Sequence, residues 1–335
     1  MRDLFSPSIL VIALVFAVSF ALLRLLLLPA TQRWFLDHPN QRSLHASPVP
    51  RTGGLGVVPA LSVGMLIAGS DTLLVALAVG LMLLSVLDDW KPLPASWRLL
   101  GHFSAAAAFV LVCFPGAGWI ELTLLALGVA WMTNLYNFMD GADGLAGGMA
   151  VVGFCAYAAA AGLAGNAMLA VMSLCVAAAA AAFLMFNFPP ARIFMGDSGS
   201  IPLGFLAAAL GLQGWRVGSW PLWFPLVVFA PFVVDASVTL ARRALRRERF
   251  WQAHRSHYYQ RLVLSGWSHR QTALAEYGLM LVGAVAAVVA LRQSAPVQSL
   301  IFAALIVVYL LAALTVDRRW RARAQTNQDD RAYPH

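Results

Sequence analysis

Eleven apolar runs divide the chain, at 8–28, 54–69, 72–87, 99–115, 120–136, 145–163, 167–186, 199–214, 221–240, 272–291 and 296–315. Most are 16–21 residues long, close to the roughly 20 that a helix needs to cross a bilayer. The second, third and eighth are the short ones. Such a series predicts an all-α, polytopic integral membrane protein of about 11 transmembrane helices. Composition agrees, with 60% hydrophobic and 11% charged residues, where soluble proteins carry roughly 25% charged. Two or three soluble domains are excluded. A single transmembrane domain over 1–335 is expected, ending in a short polar tail at about 316–335.

The +8 net charge is informative through its location. Of 23 Lys and Arg, 19 fall in the connections 29–53, 88–98, 187–198 and 241–271 and in the tail from 316. The opposite connections hold only Arg2, Arg216 and Arg292, and Arg24 lies near the inner end of the first run. The positive-inside rule makes the rich side cytoplasmic, with the N-terminus outside and the C-terminus inside. Trp119, Trp215, Trp220 and Trp223 then mark the outer interface, and Trp34, Trp90, Trp97 and Trp320 the inner one. The first run is too long for a signal-peptide core and has no small-residue cleavage site before Arg33, so it is expected to be an anchor. Cys113, Cys155 and Cys175 lie inside apolar runs and suggest small buried core residues, not a disulfide or zinc framework.

A carboxylate at the centre of a membrane helix costs about 2.5–3.5 kcal/mol, so acids at span ends invite a functional explanation. Asp88, Asp89, Asp140, Asp143 and Asp197 all fall at cytoplasmic span ends, reached through three different connections. Acids gathered at one depth repel unless a cation sits among them. Mg²⁺ suits such a place, because it binds through one or two carboxylates and completes its shell with water and substrate phosphates. Asp235, near the inner end of the ninth run, fits a functional acid and an ordinary polar residue equally well.

The segments carrying these acids have chemistry of their own. DHPNQRSLHASPVPRTGGLG supplies Arg42, His45 and Arg51 as phosphate-binding candidates, with Gly53 and Gly54 allowing close backbone approach. LDDWKPLPASWRLLGH joins Asp88 and Asp89 to Lys91 and Arg98, a mixture suited to a metal and phosphates. The DDxxD pattern of polyprenyl synthases is not met, since position 92 is Pro92. In NLYNFMDGADGLAGG, Asn134, Asn137, Asp140 and Asp143 recur every third residue, which keeps them on roughly one helix face. The AR pair and later GxxxD element of CDP-alcohol phosphotransferases are missing. FPPARIFMGDSGSIPLG leads into the eighth run with Asp197 and Ser198 placed to cap a helix. Beyond an arginine stripe, His254, His257 and Arg261 suggest a donor cluster for phosphate or uridine, too sparse for zinc.

Taken in order over about residues 33–270, these segments resemble the polyprenyl-phosphate N-acetylhexosamine-1-phosphate transferase family. NxxNxxDGxDGLA and FMGDSGS are the most specific parts. The resemblance implies a bacterial inner-membrane enzyme with a cytoplasmic active site, Mg²⁺-dependent (Mn²⁺ as a substitute) and in some members dimeric. It would move a HexNAc 1-phosphate from a UDP-HexNAc to undecaprenyl phosphate and release UMP. No nucleic-acid partner is expected. It assigns catalytic work to Asp88, Asp89, Asp140 and Asp143, and metal binding to Asp197 and Asp88. Substrate binding falls to Arg42, His45, Arg51, Arg98, Asn134, Asn137, His254, His257 and Arg261.

Two departures are visible. The lysine that the family carries after the acidic pair is Arg98 here, and HRSHYYQRL stands where the peptidoglycan branch has a triple histidine. The chain therefore resembles the branch that starts O-antigen or related surface glycans with a GlcNAc-type or 6-deoxy-HexNAc sugar, not the phospho-MurNAc-pentapeptide branch. A transporter or flippase for a lipid-linked or anionic substrate is the competing class. It would be expected to carry midplane charges and an inverted repeat, and neither is evident.

Overall fold

The computed structural model describes residues 7–31, 35–39, 44, 47–248 and 254–332. Its helices are α1 Pro7–Leu26, α2 Gly53–Ile67, α3 Thr72–Trp90, α4 Ala95–Cys113, α5 Trp119–Met139, α6 Leu145–Leu163 and α7 Ala167–Asn187. They continue as α8 Asp197–Arg216, α9 Trp223–Val228, α10 Ala230–Leu245, α11 Tyr258–Leu264, α12 His269–Ala290 and α13 Ala295–Ala332. The only strands among the described residues are β1 Leu36–Asp37 and β2 Val49–Pro50, paired antiparallel. The protein is an all-α, multi-pass membrane protein. Eight of its helices are long and apolar enough to cross a bilayer, and α2 is a shorter apolar helix.

Every expected apolar run is helical, with three differences. The ninth is split into α9 and α10 at Phe229, because Pro231 at the start of α10 cannot continue the hydrogen-bond ladder of α9. The histidine segment adds the short α11. The polar residues after 316 continue α13 as helix. Asp317 accounts for this, since its carboxylate meets Arg242 at 3.0 Å and Arg261 at 2.8 Å and docks α13 on α10 and α11.

Of the eight span-length helices, α6 and α7 are the most enclosed and α1 and α13 the least, and α8 is buried along most of its length. Gly147, Gly148 and Gly153 in α6 and six successive alanines in α7 let backbones approach closely, the usual way helices associate where lipid is as apolar as leucine. Around them, α5 packs on α8, α1 on α2 and α7, and α3 on α8. Cys113 and Cys175 are buried as expected. Cys155 is not; it is exposed on the outer side of α6, in a shallow apolar groove shared with α12.

One backbone contact decides where the acids end up. The stretch before α2 runs beside the stretch before α8, with the Phe194 amide donating to Pro50 O at 2.8 Å. The Gly53 and Gly54 amides donate to Phe194 O and Met195 O, both at 2.9 Å. Gly54 lies so close to the Ser198–Gly199 backbone that a Cβ there has no room, and Gly196 takes φ +68° against Arg51 O. This places Arg51 beside the start of α8. Gly54→Ala is expected to lower stability by about 1–3 kcal/mol, the usual cost of forcing an extra methyl group into packed surroundings. Thermal unfolding in detergent checks this, and a variant as stable as wild type would show that the contact has slack.

Candidate active site

Asp88, Asp89, Asp140 and Asp197 come together at one end of the bundle. The helix α3 runs on through the acidic pair to Trp90, and Asp88 Oδ1 accepts the Leu93 amide at 2.7 Å, which turns the chain toward α4. Arg98, in the first turn of α4, reaches Asp88 Oδ2 at 3.1 Å and Asp197 Oδ2 at 3.8 Å. Arg51 meets Asp89 Oδ1 at 3.0 Å. Two guanidinium groups thus stand among four carboxylates, leaving the cluster net negative. Asp197 and Ser198 do not cap α8 as expected. Gly196 occupies the cap and makes no side-chain bond, while Asp197 is the first helical residue. Its carboxylate lies where the helix dipole favours negative charge.

The polar row on α5 does not stay on one face, because the helix ends at Met139 and the chain turns over Asp140–Gly144. Its members go to different neighbours. Asn134 Oδ1 accepts from His102 Nδ1 at 3.1 Å, which ties α5 to α4. Asn137 hydrogen-bonds Asp197, and its Oδ1 accepts the Ser200 hydroxyl at 2.7 Å. Asp140 ends α5, and burial together with the charge of Asp197 pushes its carboxyl well above the ordinary carboxylate range. Asp143 turns away from the cluster. Its Oδ2 accepts the Ala191 amide at 3.0 Å and its Oδ1 faces His269 Nδ1 at 3.3 Å.

Beside this end, His257 is buried and directs Nδ1 to Asp235 Oδ1 at 3.2 Å. His254 stacks on it with ring centroids 4.8 Å apart. Burial, then the neighbouring His257 and Arg243, push His254 down to about 4. Arg261 is occupied by Asp317 and lies over the Tyr258 ring, facing α13. Arg42 and His45 lie outside the described residues. Sequence reasoning did not single out Ser200, His102, His269 or Asn187. Asn187 accepts the Gly144 amide at 2.8 Å and donates to Ile193 O at 2.9 Å. It therefore links the turn after α5 to the segment entering α8. Ser200 and His102 close the motifs FMGDSGS and LDDWKPLPASWRLLGH, but the role of each, like those of His269 and Asn187, comes from a long-range partner that no motif shows.

No three His, Cys, Asp or Glu side chains among the described residues are placed to hold a metal ion by themselves. The donor chemistry nonetheless suits a hard dication. Mg²⁺ needs only one or two carboxylates when water and substrate phosphates fill the remaining positions. Asp197 with a neighbouring acid meets that requirement, and the surplus negative charge favours a cation.

The glycosyl transferase family 4 profile matches residues 72–214, a stretch that includes Asp88, Asp89, Asn137, Asp140 and Asp197. A Bacillus subtilis protein, named a probable undecaprenyl-phosphate N-acetylglucosaminyl 1-phosphate transferase, is 31% identical over 274 residues, covering 76% of each chain. The decaprenyl-phosphate N-acetylglucosaminephosphotransferase of Mycobacterium tuberculosis is 30% identical over 310 residues, 75% of each chain. A phospho-N-acetylmuramoyl-pentapeptide-transferase of Listeria welshimeri is 29% identical over 198 residues, 57% of this chain and 59% of its own. With a likeness that spans 76% of this chain and a profile match through α3, α5 and α8, the chain belongs to glycosyl transferase family 4.

Proposed function

We propose that this protein transfers a HexNAc 1-phosphate, GlcNAc or a 6-deoxy-HexNAc, from a UDP-sugar to undecaprenyl phosphate. The products are undecaprenyl-diphosphate-HexNAc and UMP, and the step begins a surface polysaccharide. One observation carries this reading. Four carboxylates and two guanidinium groups from the ends of α3, α4, α5 and α8 and the stretch before α2 meet at one end of a membrane bundle. The names of the Bacillus and Mycobacterium relatives support the same chemistry. So does the position of the acids at helix ends, since a transporter would be expected to hold charge at the midplane. The positive-inside pattern supports a site facing the cytoplasm of a bacterial inner membrane.

In this reading a lipid phosphate oxygen attacks the β-phosphorus of the UDP-sugar in line. A new P–O bond forms to the lipid phosphate as the bond to the UMP oxygen breaks. Both reactants are anions, so the enzyme has mainly to align them and offset charge. The attacking monoester is already ionised at neutral pH, so direct attack needs no general base. Arg98 and Arg51 hold the acid cluster together and present cationic surface to phosphate, with exposed Lys91 beside them. Asn137 and Ser200 fix the side chain of Asp197 and the first turn of α8. Asp197, with Asp88, Asp89 or Asp140, would hold Mg²⁺, whose chemistry here is to neutralise pyrophosphate charge and favour departure of UMP.

Three outcomes test this. Purified protein with undecaprenyl phosphate, Mg²⁺ and UDP-HexNAc should release UMP, stop on EDTA addition and recover with excess Mg²⁺. Asp197→Asn should insert and fold normally yet lose roughly two orders of magnitude or more in turnover. Near-wild-type turnover in that variant removes Asp197 from the metal role. Arg98→Lys keeps the charge and loses the planar fork, so it should cost about tenfold, and Arg98→Ala distinctly more. Equal losses in the two variants would mean that charge at this position is irrelevant.

A further inference from the structure

A cavity of about 400 Å³ lies between α10, α11, α12 and α13, apart from the acid cluster. Its walls are mostly apolar, yet three of the side chains that line it carry polar groups with nothing to bond. Glu276, on α12, is 7% exposed, and its carboxyl makes no hydrogen bond or ion pair with any described residue. The hydroxyls of Tyr258 and Tyr309 are buried and likewise without a partner. Polar groups taken out of water in this way are costly unless a partner arrives, and a carboxylate inside a membrane bundle is the costliest of them.

Asp235 lines the same cavity and makes the contrast. Its Oδ1 accepts from His257 Nδ1 at 3.2 Å, the Tyr258 amide at 3.0 Å and the Thr239 hydroxyl at 3.1 Å. Its Oδ2 accepts the Tyr259 amide at 3.2 Å. The protein itself uses Asp235 fully, whereas Glu276 is as deeply buried and has none of these bonds.

The surroundings select the missing partner. Two acids with the rings of Tyr258, Tyr309 and Trp267 suit an ammonium group, which is drawn to negative charge and to aromatic faces. The rim is different. Arg319 is exposed there, its guanidinium 5.2 Å from the centre of the Trp267 ring. A free polyamine is repelled by Arg319, and a purely anionic headgroup by the acids within. A zwitterion meets both ends, with phosphate at Arg319 and ammonium at Glu276. A primary ammonium fits better than a quaternary one, because it donates hydrogen bonds to the carboxylate and the two hydroxyl oxygens. Along α13 the lining runs from Tyr309 to Arg319, about 15 Å at 1.5 Å per residue. Leu310, Leu311 and Leu314 are exposed on the same stretch, a surface beside the cavity on which lipid tails can lie.

We propose that this cavity binds a phospholipid with a primary ammonium headgroup, its ammonium at Glu276 and its phosphate at Arg319. The lipid joins α13 to α10 and α12, beside the frame in which Asp235 holds α11. This inference does not depend on the transferase reading.

Purified, delipidated full-length protein tests it. Phosphatidylethanolamine should raise the thermal midpoint by about 3–8 °C more than phosphatidylcholine or phosphatidylglycerol at equal concentration. Native mass spectra of the wild type should retain one such lipid per chain. Glu276→Gln removes the charge and keeps the volume, so it should unfold within about 2 °C of wild type without lipid and lose most of the excess shift. Arg319→Gln, at the exposed rim, should lose about half of it, which keeps the test open if Glu276→Gln does not fold. Equal shifts from the three lipids mean that the cavity holds water or any chain, and overturn the proposal. So does a larger shift with phosphatidylglycerol, or an excess that survives Glu276→Gln. The full shift produced by free phosphoethanolamine also overturns it, since the ligand is then soluble and not a lipid.

Discussion

Like charges do not gather at a membrane boundary unless something holds them there, and the rest of this structure follows from how four carboxylates are held. Asp88 and Asp89 end one helix, Asp140 ends another and Asp197 begins a third. Arg98 spans two of these acids and Arg51 meets a third. The guanidinium groups alone would not fix the arrangement, since partly exposed ion pairs contribute only about 0–1 kcal/mol each. The geometry comes from backbone. Pro50–Gly54 lies against Phe194–Gly199 so closely that only glycine fits at positions 54 and 199, and this seats Arg51 and Asp197 together. The bundle of small-residue helices behind it supplies a rigid support.

Much of this was legible in the sequence because a bilayer restricts the alternatives. Apolar runs of near-constant length gave the eleven helical segments, and acids confined to their ends gave the cluster. What was not legible depends on where helices stop and whom they meet. The spacing of Asn134, Asn137, Asp140 and Asp143 implies a continuous face, but α5 ends within the row. Its polar groups are then divided among α4, α8 and α12. Asp143 and Asn187 act across the fold on backbone amides, and a local pattern cannot show a partner more than forty residues away. The same holds for α13, whose polar end stays helical because of Asp317 and its two arginines on other helices. Cys155 illustrates the complementary limit, since an apolar run does not say which of its faces meets lipid.

The acid cluster and the histidine segment lie side by side at this end of the bundle. Carboxylates and cations lie toward α3, α4 and α8, while stacked rings lie toward α5 and α11. Asp140 and Phe138 are two residues apart and belong one to each group, so the end of α5 joins them. The departure at Arg98 and the sequence HRSHYYQRL fall one in each group.

The most direct test of the central claim is to locate a bound divalent ion. Anomalous diffraction from crystals soaked with Mn²⁺ and a UDP-sugar should show a peak about 2.1 Å from a carboxylate oxygen of Asp197, with a second acid of the cluster or the pyrophosphate beside it. A site elsewhere in the bundle, or a bound UDP-sugar whose pyrophosphate avoids this cluster, would contradict the account.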